Sequence, residues 1–241
     1  MKVLPNSLIK LDLYARIQYI SLSFITKLTN LQELRLSFLE RECFINFEEL
    51  QHAIIPQLQI LEIPYACPKF ELLIQFLENN GKNLKKLYIS DNYGCSYNSL
   101  NLAIVSFCPN LRKLSTGFKK NEMGTLKILF NSCEYLESIK IWCGGLYMSE
   151  KEALETFVKY SHKNICELKL YYKDQIQSEL LPEELESFFI SWMNRIPQES
   201  LSLGALGVAK YRKYSLDTND ENMKVIEKYI KMGVIKKFNF Q

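Results

Sequence analysis

The sequence predicts an α/β solenoid, a run of short parallel strands each followed by a helix, stacked unit on unit in one domain spanning residues 1–241. Three observations predict it. A six-residue apolar pattern, L-x-x-L-x-L, recurs at a nearly constant interval, and the segments between its copies carry helical periodicity. Hydrophobic residues at 47% and charged residues at 24% describe a globular chain able to bury a sizeable core.

The copies run in order as Leu8, Leu11, Leu13; Leu31, Leu34, Leu36; Leu58, Leu61, Ile63; and Leu84, Leu87, Ile89. They continue as Leu111, Leu114, Thr116; Leu136, Ile139, Ile141; and Ile165, Leu168, Leu170. Successive starts lie 23, 27, 26, 27, 25 and 29 residues apart, the period of a leucine-rich repeat. Seven clear repeats thus fill residues 8–195, and irregular terminal copies at Leu201, Leu203 and at Ile235, Phe238, Phe240 fill 196–241.

Each copy alternates apolar and polar residues, which makes a short strand buried on one side. Helical patterns follow in "FEELQHAII", "FELLIQFLENN", "LNLAIVSF", "TLKILFNSC", "EKEALETFVKY", "ELESFFISWM" and "NMKVIEKYIKM". Ser149 with Glu152 and Thr218 with Glu221 have capping-box spacing, and Pro182 suits a helix's first turn. A strand and a helix at so short a period cannot close a core alone. The expected architecture is a leucine-rich-repeat horseshoe, with parallel strands on the concave face and helices on the convex face.

Cys108 and Cys133 each precede the first consensus leucine by three residues, a position held elsewhere by Leu28, Ile55, Gly81 and His162. At that helix-to-strand corner a thiol packs as a small hydrophobe. The seven cysteines are odd in number and form no C-x-x-C, which argues against a disulfide framework or a structural zinc site and for reduced thiols.

"FCPNLRKL" at 107–114 and "SCEYLESIKI" at 132–141 resemble the cysteine-containing leucine-rich repeats of F-box proteins, the substrate receptors of SCF-type ubiquitin ligases. The resemblance implies a protein-binding horseshoe, with a Skp1-type adaptor as partner only if an F-box lies upstream. The chain departs from the family by entering its first repeat at Leu8, and the asparagine expected after the strand is matched only by Asn92. "LPNSL" at 4–8 and "LPEEL" at 181–185 look like F-box openings but read better as a repeat entry and a helix start. The alternative reading is a scaffold or inhibitor of the ribonuclease-inhibitor or GTPase-regulating kind, unrelated to ubiquitin.

Enzyme chemistry finds no foothold. His52 and His162 lack the spacing of a triad or a zinc motif, and neither a P-loop nor a dinucleotide-binding glycine motif is present. "CGGLY" at 143–147 reads as a turn after a strand. No catalytic residue, metal or cofactor is expected. A net charge of +3 is too small for general nucleic-acid binding, and no segment has the length of a membrane span or the form of a signal peptide, so the expected location is cytoplasmic or nuclear.

Residues alternating with the consensus leucines mark the concave face, where solenoids bind partners. In repeats four to seven these include Lys86 and Tyr88, Lys113, Lys140 and Trp142, and Lys169 and Tyr171. Those seven are the candidate partner-binding residues. Lysines repelling one another among aromatic rings suit a protein substrate presenting acidic or phosphorylated side chains.

Overall fold

The computed structural model of the chain describes residues 7–16, 21–90, 98–172, 178–196, 199–207 and 215–240. It is an α/β protein of parallel strands joined by helices, and it divides into two compact units, residues 1–116 and 117–241.

In the first unit, strands β1 (Lys10–Ala15), β2 (Glu33–Phe38), β3 (Ile60–Ile63), β4 (Lys86–Ile89) and β5 (Lys113–Gly117) lie side by side in chain order, all parallel. The repeat sets their register, because Leu11, Leu34, Leu61, Leu87 and Leu114 stand opposite one another on successive strands. Each rung is entered in the same way. The carbonyl of the residue before a strand accepts two backbone N–H groups from the next rung: Ile9 from Gln32 and Glu33, Gln32 from Gln59 and Ile60, Gln59 from Lys85 and Lys86, Lys85 from Arg112 and Lys113. Leu34, Leu36, Leu61, Ile63, Leu87 and Ile89 are buried, each contributing about 1.5–3 kcal/mol of apolar burial.

The connections of this unit differ in kind. Helices α1 (Phe70–Asn80) and α2 (Asn98–Phe107) follow β3 and β4, whereas β1 and β2 are followed by short 3-10 turns at Ser23–Lys27, Arg41–Phe44 and Phe47–Glu49. The helix expected from "FEELQHAII" is therefore only a 3-10 turn. Ile55 precedes Pro56, which disfavours helical backbone there, and the buried Asn80 takes over the backbone groups a helix would use. Its Oδ1 accepts from Ile55 N at 2.7 Å, and its Nδ2 donates to the oxygens of Ala53 at 2.8 Å and Phe76 at 2.9 Å. Phe38, Phe44, Phe47 and Phe76 form a chain of ring contacts, 4.7, 6.0 and 6.0 Å between centroids, filling the space beneath the missing helix.

The second unit repeats the plan with β6 (Ser138–Cys143), β7 (Glu167–Tyr172), β8 (Leu201–Gly207) and β9 (Ile235–Phe240), again parallel and in chain order. Ile139, Leu168, Leu203 and Phe238 share one register line, so the weak terminal copies are true rungs. Helices α3 (Met123–Ser132), α4 (Glu150–Tyr160), α5 (Pro182–Met193) and α6 (Asp220–Lys231) supply the other layer. Aromatic rings run through that layer: Phe130 against Phe157, Phe157 stacked on Trp192 at 5.3 Å, and Phe189 stacked on Tyr229 at 4.7 Å.

Ser149 caps α4 as expected, with Glu152 reaching back to its N–H at 2.8 Å, and Pro182 opens α5. The cap of α6 is Asn219 rather than Thr218. Its Oδ1 accepts from Glu221 N at 2.9 Å, while the Thr218 hydroxyl donates to the Ser215 carbonyl. Asn92 lies outside the described residues. A different asparagine repeats instead, one residue ahead of the first consensus leucine: Asn83, Asn110 and Asn164 donate to the carbonyls of Pro56, Lys82 and Glu134 in the preceding repeat, at 2.9–3.0 Å.

Cys108 and Cys133 are buried at their corners, and burial pushes the Cys133 thiol up to about 11. A second buried polar group closes the end of β7. The Glu150 carboxylate, at the start of α4, accepts from the hydroxyls of Tyr172 and Ser178 and from Glu179 N, and burial raises its pKa above the usual carboxylate value.

Candidate functional site

Both units carry a strand face opposite their buried leucines, and the seven candidate residues divide between them. In the first unit, Lys86 and Tyr88 are half-buried on β4, and Lys113 is exposed on β5 directly opposite Lys86. Lys86 is not an uncompensated cation. It pairs with Glu62, which also pairs with Arg35 at 3.3 Å, and Arg35 reaches Asp12 at 3.8 Å. Register puts Asp12, Arg35 and Glu62 on adjacent strands, so opposite charges alternate across the rungs and offset one another. Burial raises the Tyr88 phenol, partly countered by a hydrogen bond with Ser90.

In the second unit, Ile139, Ile141, Leu168 and Leu170 point into the core. Alternation therefore turns Ser138, Lys140 and Trp142 of β6, and Glu167, Lys169 and Tyr171 of β7, to the other side, where they stand opposite one another in pairs. Lys140 faces Lys169 across one strand spacing, about 4.8 Å. The Lys140 Nζ sits 3.9 Å from the centroid of the Tyr171 ring. Lys169 pairs with Glu167 at 2.8 Å, and Glu167 also accepts from the Ser138 hydroxyl. Burial first, and the charge of Lys169 second, pull the Lys140 ammonium down to about 8, against the attraction of the ring's negative face.

Trp142 departs from expectation. It is 1% exposed and offers no ring to a partner. Gly144 and Gly145 adopt positive φ of 83° and 63°, and the turn they make brings Tyr147 edge-on to the indole at 5.1 Å. Gly117 leaves room for both rings: a Cβ there would lie 2.6 Å from Trp142 and 2.7 Å from Tyr147. Trp142 instead backs Tyr171, 6.5 Å away, and helps hold that ring under Lys140.

No family model matches the chain, and no curated protein matches it. The site thus rests on its own geometry.

Sequence reasoning passed over Gly204. It stands opposite Lys169 on β8, and a Cβ there would come 3.1 Å from the Lys169 Cγ and 3.5 Å from the Asn239 oxygen. The missing side chain lets the aliphatic stem of Lys169 lie across β8. Its signal was a glycine inside a strand, which marks a close approach by another group. Among the described residues no cluster of three or more His, Cys, Asp or Glu side chains could hold a metal ion, and no helix is long and apolar enough to cross a membrane.

Proposed function

We propose that the chain is a leucine-rich-repeat horseshoe that works by binding protein, taking an acidic or phosphorylated segment of its partner on the strand face of the second unit. The juxtaposition of Lys140 and Lys169 beside Tyr171 carries this reading. Lys140 and Lys169 stand on facing positions, with Lys169 paired to Glu167 and the Lys140 Nζ set over a rigid ring. An incoming carboxylate or phosphate relieves the repulsion and gains charge-assisted hydrogen bonds, while Tyr171 supplies contact area at low entropic cost. In the first unit Lys86 and Arg35 likewise meet at Glu62, but Arg35 also reaches Asp12, so that ladder holds an additional carboxylate. The cysteine-bearing repeats at 107–114 and 132–141 support the narrower proposal that the bound protein is a substrate of an SCF-type ubiquitin ligase.

Selection from a displayed library of random peptides tests the binding reading. Enrichment of Asp, Glu or phosphoserine on the wild-type chain, lost with the double variant Lys140→Glu, Lys169→Glu, is the expected result. Equal selection by the two proteins overturns it. Capture of purified Skp1 by the chain separates the ligase from a scaffold, and its absence discards the ubiquitin proposal alone.

A further inference from the structure

Three features meet at Lys140. Its stem is half-buried between neighbouring strands, a second lysine stands opposite it in register, and its Nζ is held over the Tyr171 ring. We infer that Lys140 is a reactive amine, a modification site that forms imines with small carbonyl compounds carrying an anionic group, whose charge is met by Lys169.

The chemistry follows from the cluster. A lysine amine attacks only as the neutral base, and both desolvation and a neighbouring cation favour that form. With the ammonium pulled down to about 8, the neutral amine is far more abundant near neutral pH than at the ordinary lysine value, while the Tyr171 ring face works in the opposite direction. The nitrogen lone pair adds to the carbonyl carbon, and the carbonyl oxygen takes up a proton to give a carbinolamine. Loss of that oxygen as water leaves a C=N bond, so one carbonyl compound and one amine yield one imine and one water, with no change of oxidation state. Lys169 lies opposite with its stem settled over Gly204, and its ammonium, paired with Glu167 at 2.8 Å, would be shared with a carboxylate or phosphate on the incoming molecule. Tyr171 limits the directions from which the nitrogen can be approached. The reaction needs no bound partner protein. An anionic side chain seated on the two lysines would protect Lys140 by restoring its proton, so modification and partner binding would exclude each other.

The test uses the folded full chain with glyoxylate, trapped by cyanoborohydride near pH 7.4 and located by peptide mass spectrometry, with acetaldehyde as the uncharged probe. The internal standard is Lys151, whose ammonium is exposed and held protonated by Glu184. Lys140 should be modified about tenfold ahead of Lys151 by glyoxylate, the excess of neutral amine being partly offset by its lower basicity. The lead should shrink with acetaldehyde. Lys169→Met should slow Lys140 several-fold, and Lys140→Arg should abolish the adduct while keeping the charge. Reaction of Lys140 no faster than Lys151 overturns the inference, as does indifference to Lys169→Met. An equal lead with both probes overturns the role given to Lys169 in holding the anion.

Discussion

The sulfur of Cys108 occupies the space where a side chain on Gly81 would stand. A Cβ built on Gly81 would lie 2.7 Å from the Cys108 Sγ and 2.7 Å from the Phe107 carbonyl oxygen. The two residues hold the same corner of successive repeats, so a thiol on one rung packs against a glycine on the one before it. The cysteine is a packing element, and the glycine is kept for space rather than for its backbone, which is helical at φ −65°.

Gly81→Ala should therefore destabilise the chain by about 1–3 kcal/mol, the cost of overfilling a packed corner. A lower urea midpoint with an unchanged slope is the expected observation. Alanine's better helix propensity works in the opposite direction, so a stabilised variant would show that the corner can yield.

Asn80→Ala should cost about 2–4 kcal/mol, because three hydrogen bonds go at once and Ile55 N–H and the Ala53 carbonyl are left buried. Asn110→Ala, at an exposed rung, should cost less than about 1 kcal/mol. Chemical denaturation of the two variants side by side checks the contrast, and equal losses would deny Asn80 its part in replacing the missing helix.

Glu150 gives the stability a pH dependence of predictable sign. Burial raises its folded pKa above 4.5, so the folded state holds this proton more tightly than the unfolded chain. Its contribution is fully present below 4.5 and is lost as pH rises through the folded value. The margin of the wild type over Glu150→Gln, which cannot titrate, should shrink between about pH 4 and pH 7 in matched urea titrations. A margin that grows over that range would mean that the hydrogen bonds from Tyr172, Ser178 and Glu179 outweigh burial.

Much of the fold was legible because parallel strands joined by helices at a regular interval write their packing into a local period. Leu61 and Leu168 each recur at a fixed offset from their neighbours, and the register lines of both units follow from that offset alone. The strand-face positions were legible for the same reason, since alternation assigns Lys140, Lys169 and Tyr171 to one side. The asparagines at 83, 110 and 164 were visible too, but only as residues next to a leucine. Their partners lie a full repeat away.

The sequence by itself determined the parallel order of the strands, the helices after β3 onward and the polarity of each face, since these depend on the spacing of apolar residues along a single repeat. Only the tertiary structure decided which lysines are neutralised, that Trp142 lies beneath Tyr147, and that Asn80 stands in for a helix turn. Those outcomes depend on groups from different repeats meeting at distances of a few ångströms: Glu62 with Lys86, Gly117 with Trp142, Lys140 with Tyr171. Periodicity places residues on a face, while desolvation and the fit of their tips settle what each can do there.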